Sequence, residues 1–172
     1  NPELAAQTAL GPINDFDFDV SILFSDILFP LEALGMDLKY NPGPIFGKFI
    51  NNSNYDELKT AEEALIDLTF QSEALKITRE ILPKNKSLIG FVGGPWTVAS
   101  YGTGMNKGIN HKGNFKNDFI FKLLTKKIIP LLKRNIELQI SSGAEIVMIF
   151  DTDASRIENK KDFYDYSNLV YE

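Results

Sequence analysis

The chain has 172 residues, of which 44% are hydrophobic and 24% are charged, a typical composition for one globular domain or part of one. Its formal net charge of −5 argues against a general nucleic-acid-binding protein. With no cysteine and one histidine, disulfides and thiolate metal sites are excluded and zinc is disfavoured. No apolar run reaches the ~18 residues of a membrane span, and there is no basic, apolar leader, so we expect a cytoplasmic protein that needs no metal.

The chain opens with a predicted helix followed by a predicted strand. Residues 3–10 follow Asn1-Pro2, which suits a helix N-cap and first turn, whereas Gly11-Pro12 should end or kink the helix. Residues 18–28 (FDVSILFSDIL) form a nearly unbroken apolar run, which is typical of a strand buried on both faces of a parallel sheet. Residues 30–34 then begin a short helix.

The next segment repeats the order of helix and strand. Residues 41–44 (NPGP) predict a loop, and residues 52–82 predict a short and a long helix with an apolar stripe at the 3.6-residue period. Residues 87–92 (SLIGFV) predict a second buried strand. Residues 93–95 (GGP) form a sharp exit from it, and residues 96–101 start the following helix.

The last third predicts a third strand between two helices. Residues 102–113 are rich in glycine and lysine and predict a mobile loop, because their spacing matches no phosphate-binding motif. Residues 115–141 are predicted to be helical, with Pro130 as a kink. Residues 145–150 (EIVMIF) predict the third strand, and residues 162–172 open another helix.

Strands that alternate with helices predict βαβ units with right-handed crossovers, and hence an α/β fold. The strands are spaced by roughly 60 residues, which suits an elaborated barrel better than a minimal doubly wound domain. Three strands cannot close an eight-stranded barrel, so either more chain is missing or the sheet stays open. The chain also begins without methionine and ends inside a predicted helix. We therefore expect residues 1–172 to be a single but incomplete domain.

Each predicted strand ends in a polar or conformationally special feature. These features are Ser25-Asp26, residues 93–97 (GGPWT) and residues 151–153 (DTD). In parallel α/β folds, ligands bind where the loops after successive strands converge. This coincidence predicts a ligand site at the carboxyl ends of the three strands.

Asp26, Tyr101 and Thr152 are the candidate site residues. Asp26 lies in an apolar stretch, so its carboxylate must be paired, protonated or directed at a cationic ligand; the alternative is a helix cap or a backbone partner. The Tyr101 hydroxyl lies within reach of the same cleft, although buried tyrosines with a satisfied hydroxyl are common. Thr152 can donate a hydrogen bond at the end of the third strand, or it can cap the next helix.

The same segments resemble the uroporphyrinogen decarboxylases. Residues 24–28 (FSDIL) and 32–36 (EALGM) resemble the family's "FSDIL…EALGM" segment, and residues 88–101 (LIGFVGGPWTVASY) resemble "LIGFAGAPWTLMTY". Residues 143–151 (GAEIVMIFD) are similar to "GADAVQIFD", and residues 1–6 (NPELAA) match the start of a family helix. These ordered motifs cover nearly the whole chain and about half of a family member.

The resemblance implies part of a (β/α)₈ TIM barrel, of which about three strands and their helices are present. It implies a carboxy-lyase of haem and chlorophyll biosynthesis, usually a homodimer, that uses neither a metal nor an organic cofactor. Its substrate is uroporphyrinogen III, whose four acetate side chains lose CO₂ to give coproporphyrinogen III. Asp26 corresponds to the aspartate that binds the pyrrole N–H groups, Tyr101 to the active-site tyrosine, and Thr152 to a substrate-binding serine.

The sequence also departs from the family pattern. Residues 151–155 (DTDAS) replace "DSWAG", so Asp153 brings another negative charge towards a polyanionic substrate, for which Arg156 is a candidate compensating group. The family's arginine-bearing segment precedes the region matched by Asn1, and its histidine follows Glu172. The 172 residues alone should therefore bind substrate poorly, and their open sheet edges predict that they form no stable active protein.

Two other functions are compatible with these residues. A corrinoid- or thiol-linked methyltransferase shares the barrel but uses zinc with cysteine and histidine ligands, and this chain has no cysteine. A non-catalytic tetrapyrrole-binding protein would keep the cleft without the arginines. Residues 95–97 (PWT) followed by Tyr101 favour the decarboxylase.

Overall fold

The computed structural model describes residues 1–108 and 115–171. The α-helices are α1 Pro2–Phe16, α2 Phe29–Ala33, α3 Ala61–Ile66, α4 Thr69–Ile81, α5 Pro95–Thr103, α6 Asp118–Leu123, α7 Ile129–Ser141 and α8 Lys160–Tyr171. The strands are β1 Val20–Ile22, β2 Leu38–Tyr40, β3 Pro44–Phe46, β4 Ser87–Gly93 and β5 Ile146–Phe150. Short 3₁₀ turns cover Tyr55–Glu57, Met105–Lys107 and Thr152–Arg156. Of the predicted loop over residues 102–113, residues 109–113 lie outside the described part.

Three of the strands form a parallel sheet in the order β1-β4-β5. Ser21 pairs with Leu88 at one side of the central strand, and Val147 pairs with Gly90 at the other. The two connections run through helices, so the predicted α/β class is confirmed. The remaining strands, β2 and β3, form a separate antiparallel hairpin; of the predicted loop over residues 41–44, residues 41–43 form its turn and Pro44 begins β3.

The first strand is shorter than predicted, because the chain turns away soon after Ile22. The amide of Leu23 still donates to the carbonyl of Ile89 (3.0 Å), which extends the pairing by one residue. The Asp26 side chain then accepts a hydrogen bond from the amide of Leu28 (2.7 Å) and closes a turn that leads into α2. The apolar run predicts that Leu28 is buried, and it is, but Leu28 lies in a turn and not in a strand.

Two prolines lie inside helices that continue past them. The helix α1 runs through Gly11-Pro12 to Phe16, because Ala9 and Ile13 pack in a core cluster with α4 and outweigh the local cost of proline. Pro130 needs the carbonyl four residues earlier to move aside. A π-helical turn over Leu124–Ile128 provides that displacement, so α6 and α7 remain one continuous helical segment.

The two faces of the sheet have different surroundings. On one face, Leu88 and Val92 are buried against the helices. On the other, Phe24, Phe91 and Phe150 form a row of edge-to-face contacts with ring centroids 6.3 and 5.5 Å apart, and Phe24 is 71% exposed. Within the described residues, this apolar face has no covering layer. In the same residues, none of the helices has the length and apolarity to cross a membrane.

Candidate functional site

Two consecutive glycines bring the ends of the three strands together. A Cβ on Gly93 would lie 2.9 Å from the carbonyl oxygen of Ile27 and 2.8 Å from a methyl group of Val98. A Cβ on Gly94 would lie 2.1 Å from the Cβ of Asp151. The segment after β1, the start of α5 and the end of β5 therefore approach one another at distances that exclude any side chain.

Asp26 lies half-buried on the first of these segments. One carboxylate oxygen accepts the Leu28 amide, so the predicted backbone partner is present. The hydroxyl of Tyr40, at the end of β2, also lies against this carboxylate, and burial together with Asp26 raises the pKa of Tyr40. Sequence reasoning missed Tyr40, because its neighbours predict only a loop.

The residue before Asp26 is held by the helix α4. The Gln71 side-chain amide donates to the Ser25 hydroxyl at 3.0 Å, and Gln71 is almost completely buried. This contact fixes the chain immediately before the carboxylate. Asp26 is thereby positioned from both sides, by Gln71 through Ser25 and by its own turn to Leu28.

Tyr101 lies on α5, one helical turn after Thr97, so the two side chains share a face of the helix. Its ring is partly buried against the main hydrophobic core. The helix is anchored at its start by Trp96, which is fully buried. Tyr101 is therefore carried on a largely buried helix that begins at the convergent strand ends.

The most extensive hydrogen bonding at these strand ends involves Asp151. Its Oδ1 accepts from the amide (2.8 Å) and the hydroxyl (2.9 Å) of Thr97. Its Oδ2 accepts from the hydroxyls of Tyr166 and Tyr171, the latter at 3.3 Å. The carboxylate thus caps the positive end of α5, where a negative charge is stabilising. Sequence reasoning identified Asp151 as part of the polar segment 151–153 after the third strand but missed its partners on α8.

Tyr166 connects the same carboxylate to the start of α5. Its hydroxyl accepts the Trp96 amide at 2.9 Å while donating to Asp151. Burial, with the adjacent Asp151 charge, raises the pKa of Tyr166 far above the usual range, so it stays a neutral donor. The same two causes raise the pKa of Tyr171 to about 12.

Thr152 is exposed and begins the 3₁₀ turn after β5. The following residue, Asp153, is only 7% exposed and donates its amide to the Thr97 hydroxyl at 3.0 Å. Its carboxylate points into the protein, 3.4 Å from Nε of Arg156, while Oδ2 is buried without a hydrogen-bond partner. The extra negative charge noted in the sequence is therefore turned inward and paired.

Comparison with known proteins shows which family this chain resembles. A model of the family described as "Uroporphyrinogen decarboxylase (URO-D)" matches residues 1–171. Uroporphyrinogen decarboxylase of Aliarcobacter butzleri is 38% identical over 99% of this chain and 51% of its own length. That of Nitratiruptor sp. is 40% identical over 97% of this chain and 50% of its own length.

A solved structure shares the fold. A methyltransferase from Methanosarcina mazei superimposes with a TM-score of 0.78 at 22% identity, over 96% of this chain and 50% of its own. The likeness concerns the fold alone. The chain spans about half the length of the curated relatives it matches.

Proposed function

The chain belongs to the uroporphyrinogen decarboxylase family, and we propose that it forms the central part of an enzyme that converts uroporphyrinogen III into coproporphyrinogen III and CO₂. The observation that carries the proposal is the position of Asp26. Within a family match over residues 1–171, this carboxylate lies half-buried after β1, next in the chain to Ile27, which lies against Gly93 at the end of β4.

The proposal places residues 1–172 in one incomplete (β/α)₈ barrel domain. Its support is a sheet of adjacent parallel strands with helices on one face and an uncovered apolar face on the other. Further strands would cover Phe24, Met148 and Phe150 and pair with the edges β1 and β5. The relatives' double length provides enough chain for this completion.

The proposed chemistry uses the substrate's own pyrrole ring as the electron sink. Protonation of a pyrrole carbon gives a cationic ring; the bond between the acetate methylene and its carboxylate then breaks, and the electron pair moves into the ring. CO₂ leaves, a proton added to the former methylene carbon completes a methyl group, and loss of the proton first added to the ring carbon restores the neutral pyrrole. A fixed carboxylate next to the pyrrole N–H groups stabilises this cation, and one such preorganised group typically contributes about 3–4 kcal/mol.

Asp26 is suited to this role because it is held in place and still reachable. The Leu28 amide fixes one oxygen, and the half-buried side chain keeps access to the cleft. Tyr101 would orient the substrate, and Thr152 would contact a carboxylate arm. The inward pairing of Asp153 with Arg156 removes a repulsive charge from the arm that Thr152 would bind.

Two alternatives are less well supported. The methyltransferase likeness is one of fold, at 22% identity, and this chain has no cysteine to bind zinc. A non-catalytic tetrapyrrole-binding protein would bind substrate without turnover. The homodimer, the cytoplasmic location, independence of metal and cofactor, and absence of nucleic-acid binding stay predictions.

The test is anaerobic incubation of the full-length protein with uroporphyrinogen III, followed by oxidation and chromatography of the porphyrins. We expect coproporphyrin, preceded by intermediates with seven, six and five carboxylates. Substrate that is bound but unchanged would support the non-catalytic alternative. Absence of both binding and turnover would overturn the proposed function.

A further inference from the structure

We infer that Thr97 and Asp151 form a clamp that positions Thr152 against the helix carrying Tyr101, with Tyr166 as its support. The inference rests on the proposed function, since it assigns the clamp to the binding of a substrate arm. It concerns positioning residues, which act through Thr152 and do not touch substrate themselves.

Thr97 contacts the residues on both sides of Thr152. Its hydroxyl donates to Oδ1 of Asp151 (2.9 Å) and accepts the amide of Asp153 (3.0 Å). Thr97 is only 3% exposed, so these two hydrogen bonds form away from competing water. Thr152 remains exposed, yet the backbone before and after it is attached to one buried hydroxyl.

Tyr166 supports the clamp from the opposite side. Its hydroxyl links Oδ2 of Asp151 to the Trp96 amide, and its side chain is 1% exposed. Gly94 lets Asp151 approach this closely, because any Cβ there would overlap the aspartate. The end of β5 is therefore fixed to the first turn of α5, the helix on which Tyr101 follows Thr97 by one turn.

Side chains and a backbone amide of the protein itself satisfy both oxygens of the Asp151 carboxylate. Each oxygen accepts two donors, the amide and hydroxyl of Thr97 at one and the hydroxyls of Tyr166 and Tyr171 at the other. A carboxylate satisfied in this way is a poor ligand for substrate, particularly for an anionic one. Asp151 therefore acts as a positioning residue, whereas Asp26 is the residue proposed to stabilise the cationic pyrrole.

The experiment is a double-mutant cycle in the full-length enzyme. Thr97→Val keeps the shape of the side chain and removes the hydroxyl. We expect kcat/KM for uroporphyrinogen III to fall about 10-fold in the wild-type background but less than about 2-fold in a Thr152→Ala background, because coupled residues are non-additive. Thr97→Ser, which retains the hydroxyl, should keep most of the wild-type kcat/KM. Equal falls in both backgrounds would overturn the inference.

Thr78→Val is the matched control. Thr78 is also buried, but its hydroxyl donates to the Ala74 carbonyl of its own helix (2.7 Å). We expect this variant to lose comparable thermal stability while keeping kcat/KM. A similar loss of kcat/KM in Thr78→Val would show that the Thr97 effect is merely one of stability.

Amide hydrogen exchange tests the clamp independently of activity. In Thr97→Val, the peptide spanning residues 151–157 should exchange faster than in wild type or Thr78→Val, because the Asp153 amide loses its acceptor. Unchanged exchange there would refute the clamp. An inactive wild-type enzyme would instead refute the proposed function and leave the exchange result to decide the clamp.

Discussion

The two ends of the parallel sheet use polar side chains in opposite ways. At the amino end, cationic side chains bind backbone carbonyls. Lys86 is 7% exposed and donates to the carbonyl of Asp17 (3.1 Å), and Arg79 donates to the carbonyls of Lys86, Leu82 and Pro83 at 2.9 to 3.1 Å. These contacts hold the segments that precede β1 and β4 in place, and they engage both cations in hydrogen bonds within the protein.

At the carboxyl end, the acidic side chains differ in how many hydrogen-bond donors each one has. Asp151 has four donors, Asp26 is half-buried with a backbone amide and Tyr40 beside it, and Asp153 keeps one buried oxygen without a partner. Thr152, between Asp151 and Asp153 in the chain, is exposed. We therefore expect the amino end to serve stability and the carboxyl end to serve ligand binding, the usual division in parallel α/β folds.

Replacing Asp26 by asparagine tests this division most strongly. In the full-length enzyme we expect kcat of Asp26→Asn to fall about 10²–10³-fold, because the neutral amide no longer stabilises the cationic pyrrole. The melting temperature should stay close to wild type, since the side-chain oxygen of the new amide can still accept the Leu28 amide. Decarboxylation assays and thermal melts measure the two quantities.

Asp17→Asn at the amino end is the matched control for that prediction. It removes an aspartate that pairs with Lys86 at 2.7 Å, and we expect unchanged kcat. Full activity in Asp26→Asn, or an equal loss in both variants, would contradict the assignment of the two ends.

The glycine pair provides the next largest expected effect. Gly94→Ala places a Cβ 2.1 Å from the Cβ of Asp151, and the backbone on both sides must separate. We expect a loss of about 3 kcal/mol or more in the free energy of unfolding, as in severe overpacking. Denaturant unfolding of the full-length protein measures it.

Gly11→Ala serves as the control for the glycine prediction. A Cβ at Gly11 meets nothing within 4 Å. Because Gly11 lies inside α1, alanine there should be neutral or stabilising by up to about 1 kcal/mol, since alanine has the higher helix propensity. If Gly94→Ala were equally mild, the strand ends would have more room than the structure gives them.

Arg79→Met tests the amino end directly. The variant leaves the partly buried carbonyls of Leu82 and Lys86 without this donor and breaks the contact with Glu145 (2.9 Å). We expect a loss of about 2 kcal/mol in stability, because hydrogen bonds to charged groups are stronger than neutral ones. Because Arg79 lies away from the proposed site, kcat/KM should not change.

A second arginine provides the comparison for Arg79. Arg134 is more than half exposed and lies 3.7 Å from Glu62. Arg134→Met should change stability by less than about 0.5 kcal/mol, since exposed ion pairs contribute little. A fall in kcat/KM for Arg79→Met would show that the amino end also contributes to the site.

The sequence predicted the framework of this comparison but few of its contacts. Apolar runs located β4 and β5 to within a residue at either end, and the order of strands and helices predicted the parallel sheet. The rule that ligands bind at the carboxyl ends of parallel strands selected the segments bearing Asp26 and Asp151. These features are predictable because they depend on local periodicity and on general topology.

The missed contacts depend on partners that are distant in the chain. Tyr166 meets Trp96 across 70 residues, and Gln71 meets Ser25 across 46. No local pattern distinguishes such a tyrosine or glutamine from an ordinary helical residue. The continuation of α1 through Pro12 was missed for the same reason, because packing against α4 outweighs the local preference.

The smallest expected effect is a pH dependence at the amino end. The hydrogen bond and charge of Lys86 hold the pKa of the exposed Asp17 carboxyl below its ordinary value of 3.8. A lowered folded-state pKa contributes stability above the unfolded-state pKa and loses it as the pH falls through the folded-state value. The melting temperature of wild type should therefore exceed that of Asp17→Asn near pH ~6, and the difference should shrink below pH ~4. Added salt should reduce the difference at the higher pH, because Asp17 is fully exposed and screened. A difference that grows on acidification would mean that the Asp17 carboxylate destabilises the fold, and that Lys86 is held at the amino end by the Asp17 carbonyl and by Asp19.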